Sequence, residues 1–194
     1  MALVHFITHP EVTIDPAIPV PDWSLSPRGI ARMRAALAEP WVATIGAVFC
    51  SHERKARDAA AILAAHLGLP VQQEAGLGEN DRSATGYLEK AAFEQMADAF
   101  FARPTESVRG WERAVDAQAR IVAAVDAVIR RTPPGRDVAI VAHGGVGALL
   151  QCNRRSIPIS RAADQPGNGG GNRFVFDATT CIMIEGWQAI GVPL

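Results

Sequence analysis

The chain has 194 residues, enough for one hydrophobic core. Its composition, 48% apolar and 20% charged, is that of a globular protein and excludes a disordered one. A net charge of −1 gives no global field for nucleic acid or an anionic membrane surface, and no apolar run approaches the roughly 20 residues that span a bilayer.

Residues 3–8 are a short run of strand formers, closed by His9-Pro10. Residues 10–27 hold five prolines and predict a long surface loop. Ser26-Pro27 then marks a helix start, with Ser26 as cap and Ile30, Met33 and Leu37 on the apolar face. A second strand is predicted over 45–50, closed by Ser51-His52. A helix follows over 54–67 with Ala56, Ala59, Ala60, Leu63 and Leu67 at helical spacing, stopped by Gly68. Residues 70–73 are a short strand candidate, and 76–87 are polar and irregular. Helices are expected over 89–101 and 111–131, the second carrying Val115, Ala119, Val122, Val125 and Ile129 on one side. Residues 138–142 read as a strand buried on both faces. His143-Gly144-Gly145 closes it, with a helix over 146–152, a flexible loop over 167–171 and late strands over 174–176 and 182–187. Alternating strands and helices predict an α/β fold, a mostly parallel sheet covered on both faces, in a single domain over 1–194.

Three widely spaced cysteines, Cys50, Cys152 and Cys181, form no Cys-x-x-Cys pair and read as reduced thiols. The start of the chain enters a strand without a signal-type segment. Together these predict a cytoplasmic protein.

His9 and His143 each directly follow a predicted strand. In open α/β sheets ligands bind beyond the carboxyl ends of the strands, so both imidazoles are expected at one edge. Gly144 and Gly145 allow close backbone approach, and the following helix start offers N–H groups to an anion. The strand ending at Cys50 brings Ser51, Arg54, Lys55 and Arg57 to the same edge. Two imidazoles and a basic cluster make a phosphate site. All but two of the nineteen basic residues are Arg, so arginine count alone carries little weight.

These segments, in this order, resemble the histidine phosphatase superfamily, which includes the phosphoglycerate mutases. The resemblance is carried by Thr8-His9-Pro10-Glu11, by residues 23–29, by Cys50-Ser51-His52-Glu53-Arg54-Lys55-Ala56, by Leu77-Gly78-Glu79-Asn80, and by residues 140–145. It implies a three-layer α/β/α sandwich and phosphoryl transfer through a phosphohistidine on His9. His143 and basic side chains, Lys55 among them, hold the phosphate, and Glu79 or its neighbour Asp81 acts as proton donor. It implies no metal and no cofactor, and a small phosphorylated substrate or inorganic phosphate as partner; oligomeric state is not legible.

Departures are equally visible. The family has Arg-His-Gly where this chain has Thr8-His9-Pro10, so a bidentate guanidinium gives way to one hydroxyl and Pro10 loses an N–H. Lys55 stands where the family has arginine, and Asp15 where many members have asparagine. Arg54 and Arg82 are candidate replacements for the missing guanidinium. The alternative reading is a weakened or inactive phosphate-binding member of the same fold. The organic part of a substrate is expected against loops over 16–23 and 76–109.

Overall fold

A computed structural model describes residues 2–167 and 169–191. Six strands form one sheet in the order β3-β2-β4-β1-β5-β6: β1 (Leu3–Thr8), β2 (Ile45–Cys50), β3 (Val71–Gln73), β4 (Asp137–Ala142), β5 (Asn172–Asp177) and β6 (Met183–Ala189). The four strands from β3 to β1 are parallel, and β5 and β6 add an antiparallel edge. The helices are α1 (Pro27–Ala36), α2 (Arg54–Leu67), α3 (Lys90–Ala102), α4 (Ala114–Arg131) and α5 (Gly144–Arg154).

Strand alternation sorts the core into two layers. Val4, Phe6, Val138, Ile140, Phe174 and Phe176 pack with Ile121, Val125 and Val128 of α4 and with Val146 and Leu150 of α5. Ile7, Val48, Ala139 and Val141 face the other way, onto Met33 of α1 and Ala56, Ala60 and Leu63 of α2. With both faces covered, β1 and β4 read as continuous apolar runs, as expected of internal parallel strands. Helix α3 lies outside the sheet, with Met96, Phe100 and Phe101 in a third cluster beside Trp111, Ala148 and Leu149. Among the described residues, no helix is long and apolar enough to cross a membrane.

Local signals explain most boundaries. The Ser26 side chain accepts from Gly29 N–H at 3.1 Å and starts α1. Gly68, at φ 65°, ends α2 in the left-handed conformation that favours glycine. Two expectations are corrected. Helix α4 begins at Ala114 rather than residue 111, because Trp111 (ψ 152°) and Arg113 (ψ 141°) have extended backbone, with the Trp111 indole donating to Thr85 Oγ1 at 2.8 Å. Its buried stripe is Ala114, Ala117, Ile121, Val125 and Val128, and Ala119 faces solvent. With alanines around the whole helix, apolar spacing alone does not fix its rotation. Helix α5 starts at Gly144, two residues earlier than expected. Of the predicted loop over 167–171, residue 168 lies outside the described residues.

Candidate active site

Strand pairing brings the two histidines together. β1 and β4 are parallel neighbours, with Thr8 paired to Ala142 at their ends, and His9 N–H donates to Ala142 O at 3.1 Å. The next residue on each strand is therefore an imidazole at the same sheet edge. The ring centroids lie 5.3 Å apart, edge to face. Ser51, just past β2, is laced to the same edge through its N–H to Val141 O at 3.1 Å.

His9 Nδ1 lies 2.8 Å from its acceptor, Pro10 O, which fixes the proton on Nδ1 and leaves the Nε2 lone pair unprotonated. Burial, and then the neighbouring His143, lower its pKa to about 3. His143 is buried and its Nε2 lies 2.7 Å from Ser51 Oγ and 3.2 Å from Glu53 Oε1. Burial lowers its pKa too, to about 3, against the opposing pull of the Glu53 carboxylate. Both rings are neutral at neutral pH.

Glu53 is the residue that the sequence reading passed over. It is 6% exposed and holds three groups at once. Oε2 accepts from Lys55 Nζ at 2.5 Å, Oε1 accepts from Glu79 N–H at 2.9 Å, and the same Oε1 meets His143. Burial works against its charge, but His143, Lys55 and the Glu79 N–H outweigh it and lower its pKa to about 2. Lys55, itself buried, divides its ammonium between Glu53 and Val20 O at 2.8 Å. This buried cation is thus paired with a carboxylate.

Glu79 caps the helix that follows His143. Its carboxylate accepts from Gly145 N–H at 3.1 Å and Val146 N–H at 3.0 Å. The helix start was expected to offer its N–H groups to an external anion; Glu79 already fills those of Gly145 and Val146. The two glycines make room for side chains here. A Cβ on Gly145 would stand 2.8 Å from Glu79 Oε1, and one on Gly144 2.2 Å from Gln165 Nε2. Arg120 of α4 holds the Glu79 loop by donating to Gly76 O and Gly78 O at 2.9 Å and to Glu79 O at 3.2 Å. Asp81 is exposed, and its carboxylate accepts from Ser83 N–H at 2.8 Å, a bond that lowers its pKa.

Thr8 is buried in a neutral cluster. Its hydroxyl donates to Gln165 Oε1 at 2.7 Å and accepts from Asn172 N–H at 3.0 Å, while Asn172 Nδ2 donates to the same Gln165 oxygen at 2.9 Å. No sequence signal connects Gln165 or Asn172 to Thr8. Arg54 is exposed at the start of α2 and faces solvent while Lys55 turns inward. Arg82 stacks over the rings of Phe93 and Trp111, at 5.1 and 5.7 Å, and is close enough to act electrostatically on His143. Asp15 folds onto its own loop, accepting from Ala17 N–H at 2.9 Å. Among the described residues, no cluster of His, Cys, Asp and Glu is arranged to hold a metal ion.

A cavity of about 1110 Å³ adjoins this edge. Glu53, Glu79, Asn80 and Arg82 lie in its wall, which is completed by loop residues around Pro16–Pro21 and by Tyr87, Phe93 and Trp111.

The neutral histidines tie stability to pH. Their pKa values lie below the unfolded value of about 6.5, so the unfolded chain binds more protons as pH falls. Their contribution to stability is present above pH 6.5 and is lost as pH falls from there towards about 3. His5, where burial and then Arg173 lower the pKa to about 4, adds to the effect. Between pH 7 and 5 the unfolding free energy is expected to drop by about 2 kcal/mol for each of His5 and His143. Urea unfolding at the two pH values measures it; equal midpoints would show these rings charged in the folded protein.

Residues 13–184 match a family model described as the histidine phosphatase superfamily (branch 1). No curated protein sequence matches. Among solved structures, a mycobacterial glucosyl-3-phosphoglycerate phosphatase superposes with a TM-score of 0.78 at 22% identity, covering 98% of this chain and 100% of that one. The same mycobacterial phosphatase with inorganic phosphate scores 0.76 at 22% identity, covering 99% and 98%. The YhfR protein of Bacillus stearothermophilus scores 0.78 at 21% identity and covers 98% of each chain.

Proposed function

The chain belongs to the histidine phosphatase superfamily, branch 1, and we propose that it hydrolyses phosphomonoesters through a phosphohistidine on His9. The observation that carries this reading is the Nδ1–H to Pro10 O bond, which leaves Nε2 of a neutral, half-buried ring as a nucleophile beside His143.

In the proposed reaction Nε2 attacks phosphorus in line, the P–N bond forms and the ester P–O bond breaks. Glu79 protonates the leaving oxygen and then takes a proton from the water that cleaves the phosphohistidine. Both acids border the cavity, but Glu79 also reaches the His143 helix, whereas Asp81 is exposed and accepts from Ser83 N–H. Lys55 meets the phosphate oxygens once it leaves Glu53, and Arg82 supplies the second positive charge from the cavity wall. Thr8 stands at the position of the family's arginine, with its hydroxyl held by Gln165 and Asn172. The substrate is a small phosphorylated molecule, and inorganic phosphate is the product.

The test is a rapid acid and base quench during turnover of an aryl phosphate. The expected result is a phosphorylated protein that is labile in acid, stable in base and labelled at His9. Turnover with no such species at early times would remove the covalent mechanism.

One observation favours a second reading, a phosphate-binding protein with little turnover. The Lys55–Glu53 pair and the neutral Thr8–Gln165–Asn172 cluster leave the site short of free positive charge. Phosphate binding without hydrolysis of any ester would select it.

A further inference from the structure

The geometry points to a bulky apolar alcohol, carrying a ring system, as the group to which the phosphate is esterified; this rests on the hydrolase reading. The cavity beside the histidine pair, about 1110 Å³, exceeds what a phosphate and a short polar chain occupy. Its outer walls are apolar. One wall is the loop 14–23, with Pro16, Pro19 and Pro21, whose fixed φ angles make it stiff. The indole of Trp23 holds that loop in shape by donating to Asp15 O at 2.9 Å and Ile18 O at 3.0 Å. The facing wall carries Tyr87, Leu88, Phe93 and Trp111, and Tyr87 meets Trp23 across the gap at 5.6 Å between centroids.

Two further observations point to a ligand. Ile14 and Ile18 are 57% and 41% exposed, two of the few large aliphatic side chains on this surface, and both belong to the cavity. Exposed apolar surface at the mouth of a concave site is what a hydrophobic ligand covers. Asn80, 6% exposed and part of the wall, has an Nδ2 with no hydrogen-bond partner among the described residues. A buried amide donor left unpaired is costly; its nitrogen is covered in the ligand-free chain, so a ligand acceptor pairs with it only when the amide turns towards the cavity. Glu53 and Glu79 put polar groups next to His143 and its helix, and most of the remaining wall is apolar, with His52, Asp81, Ser83 and Lys90 as its exposed polar members. A phosphoester with a polar head and an apolar, ring-bearing body fits that arrangement.

The test compares phenyl phosphate with 1-naphthyl phosphate, whose leaving groups have similar acidity, so that a difference in rate reports contacts of the second ring. The expected kcat/KM is at least about tenfold higher for the naphthyl ester, the scale of burying one further ring. In Ile18→Asp, a change at an exposed position, that ratio is expected to fall to within about twofold of one. Binding of 1-naphthol, followed by tryptophan fluorescence, is measured alongside and is expected to weaken at least about tenfold in Ile18→Asp. Turnover of both esters with a wild-type ratio near one overturns the inference. No turnover of either ester, with naphthol still bound and released by Ile18→Asp, sinks the hydrolase reading and supports the apolar site. Neither turnover nor naphthol binding overturns the inference as well.

Discussion

Glu53→Gln is expected to weaken the ligand-free protein while tightening its hold on inorganic phosphate by about tenfold or more. Glu53 places a carboxylate among Lys55 Nζ, His143 Nε2 and the Glu79 N–H, the kind of donors a phosphate oxygen needs. An incoming dianion must compete with it for Lys55 and face its charge at close range. Like charges about 4 Å apart repel by about 4 kcal/mol at an effective dielectric of 20, and part of that is relieved by movement. A gain of about 1.4 kcal/mol is already tenfold in affinity. The cost runs the other way. Removing one charge of a buried pair leaves the other uncompensated, at about 3–5 kcal/mol for full truncation. Glutamine keeps an acceptor for Lys55, so a loss nearer 1–3 kcal/mol is expected. Calorimetric titration with phosphate, with thermal melts in its presence and absence, reads both signs. Unchanged affinity would mean that the anion settles away from Lys55.

His9→Ala is expected to lower kcat for aryl phosphate hydrolysis by about three decades or more, some 4 kcal/mol of barrier. The change removes the only group proposed to bond to phosphorus, so the reaction is left to direct attack by water. Lys55, His143 and Arg82 remain, and phosphate affinity should change by only a few-fold. That contrast, a large loss in kcat with a small change in binding, is the mark of a lost nucleophile rather than a collapsed site. Phosphate binding lost along with turnover would instead make His9 a ligand-holding residue. A rate close to that of the wild type would mean that another group attacks.

The layered fold and the meeting of His9 with His143 were legible because they depend on short-range signals. β1 and β4 are compact apolar runs, each followed directly by a histidine, and parallel pairing sets their ends level. The rotation of α4 was not legible, since alanines at 114, 117, 119, 123 and 124 blur which face is buried. Lys55 was visible as a candidate, but its neutralisation by Glu53 was not. Glu53 sits at the start of α2 among basic residues, and only the folded positions of β4 and the Glu79 loop show that its carboxylate turns inward. Glu79 as a helix cap, and Gln165 and Asn172 around Thr8, depend on contacts across 66 to 164 residues of chain. Such contacts leave no local trace.

The pairing of Thr8 with Ala142 has a last consequence. The spacing of the two imidazoles is inherited from backbone hydrogen bonds in the middle of the sheet, whereas the cavity walls are drawn from loops. The proposed reactive centre and the proposed selectivity therefore stand on separate foundations. Loops can be lengthened, shortened or exchanged to suit another alcohol without the rings drifting apart, whereas a slip of one residue between β1 and β4 would part them at once.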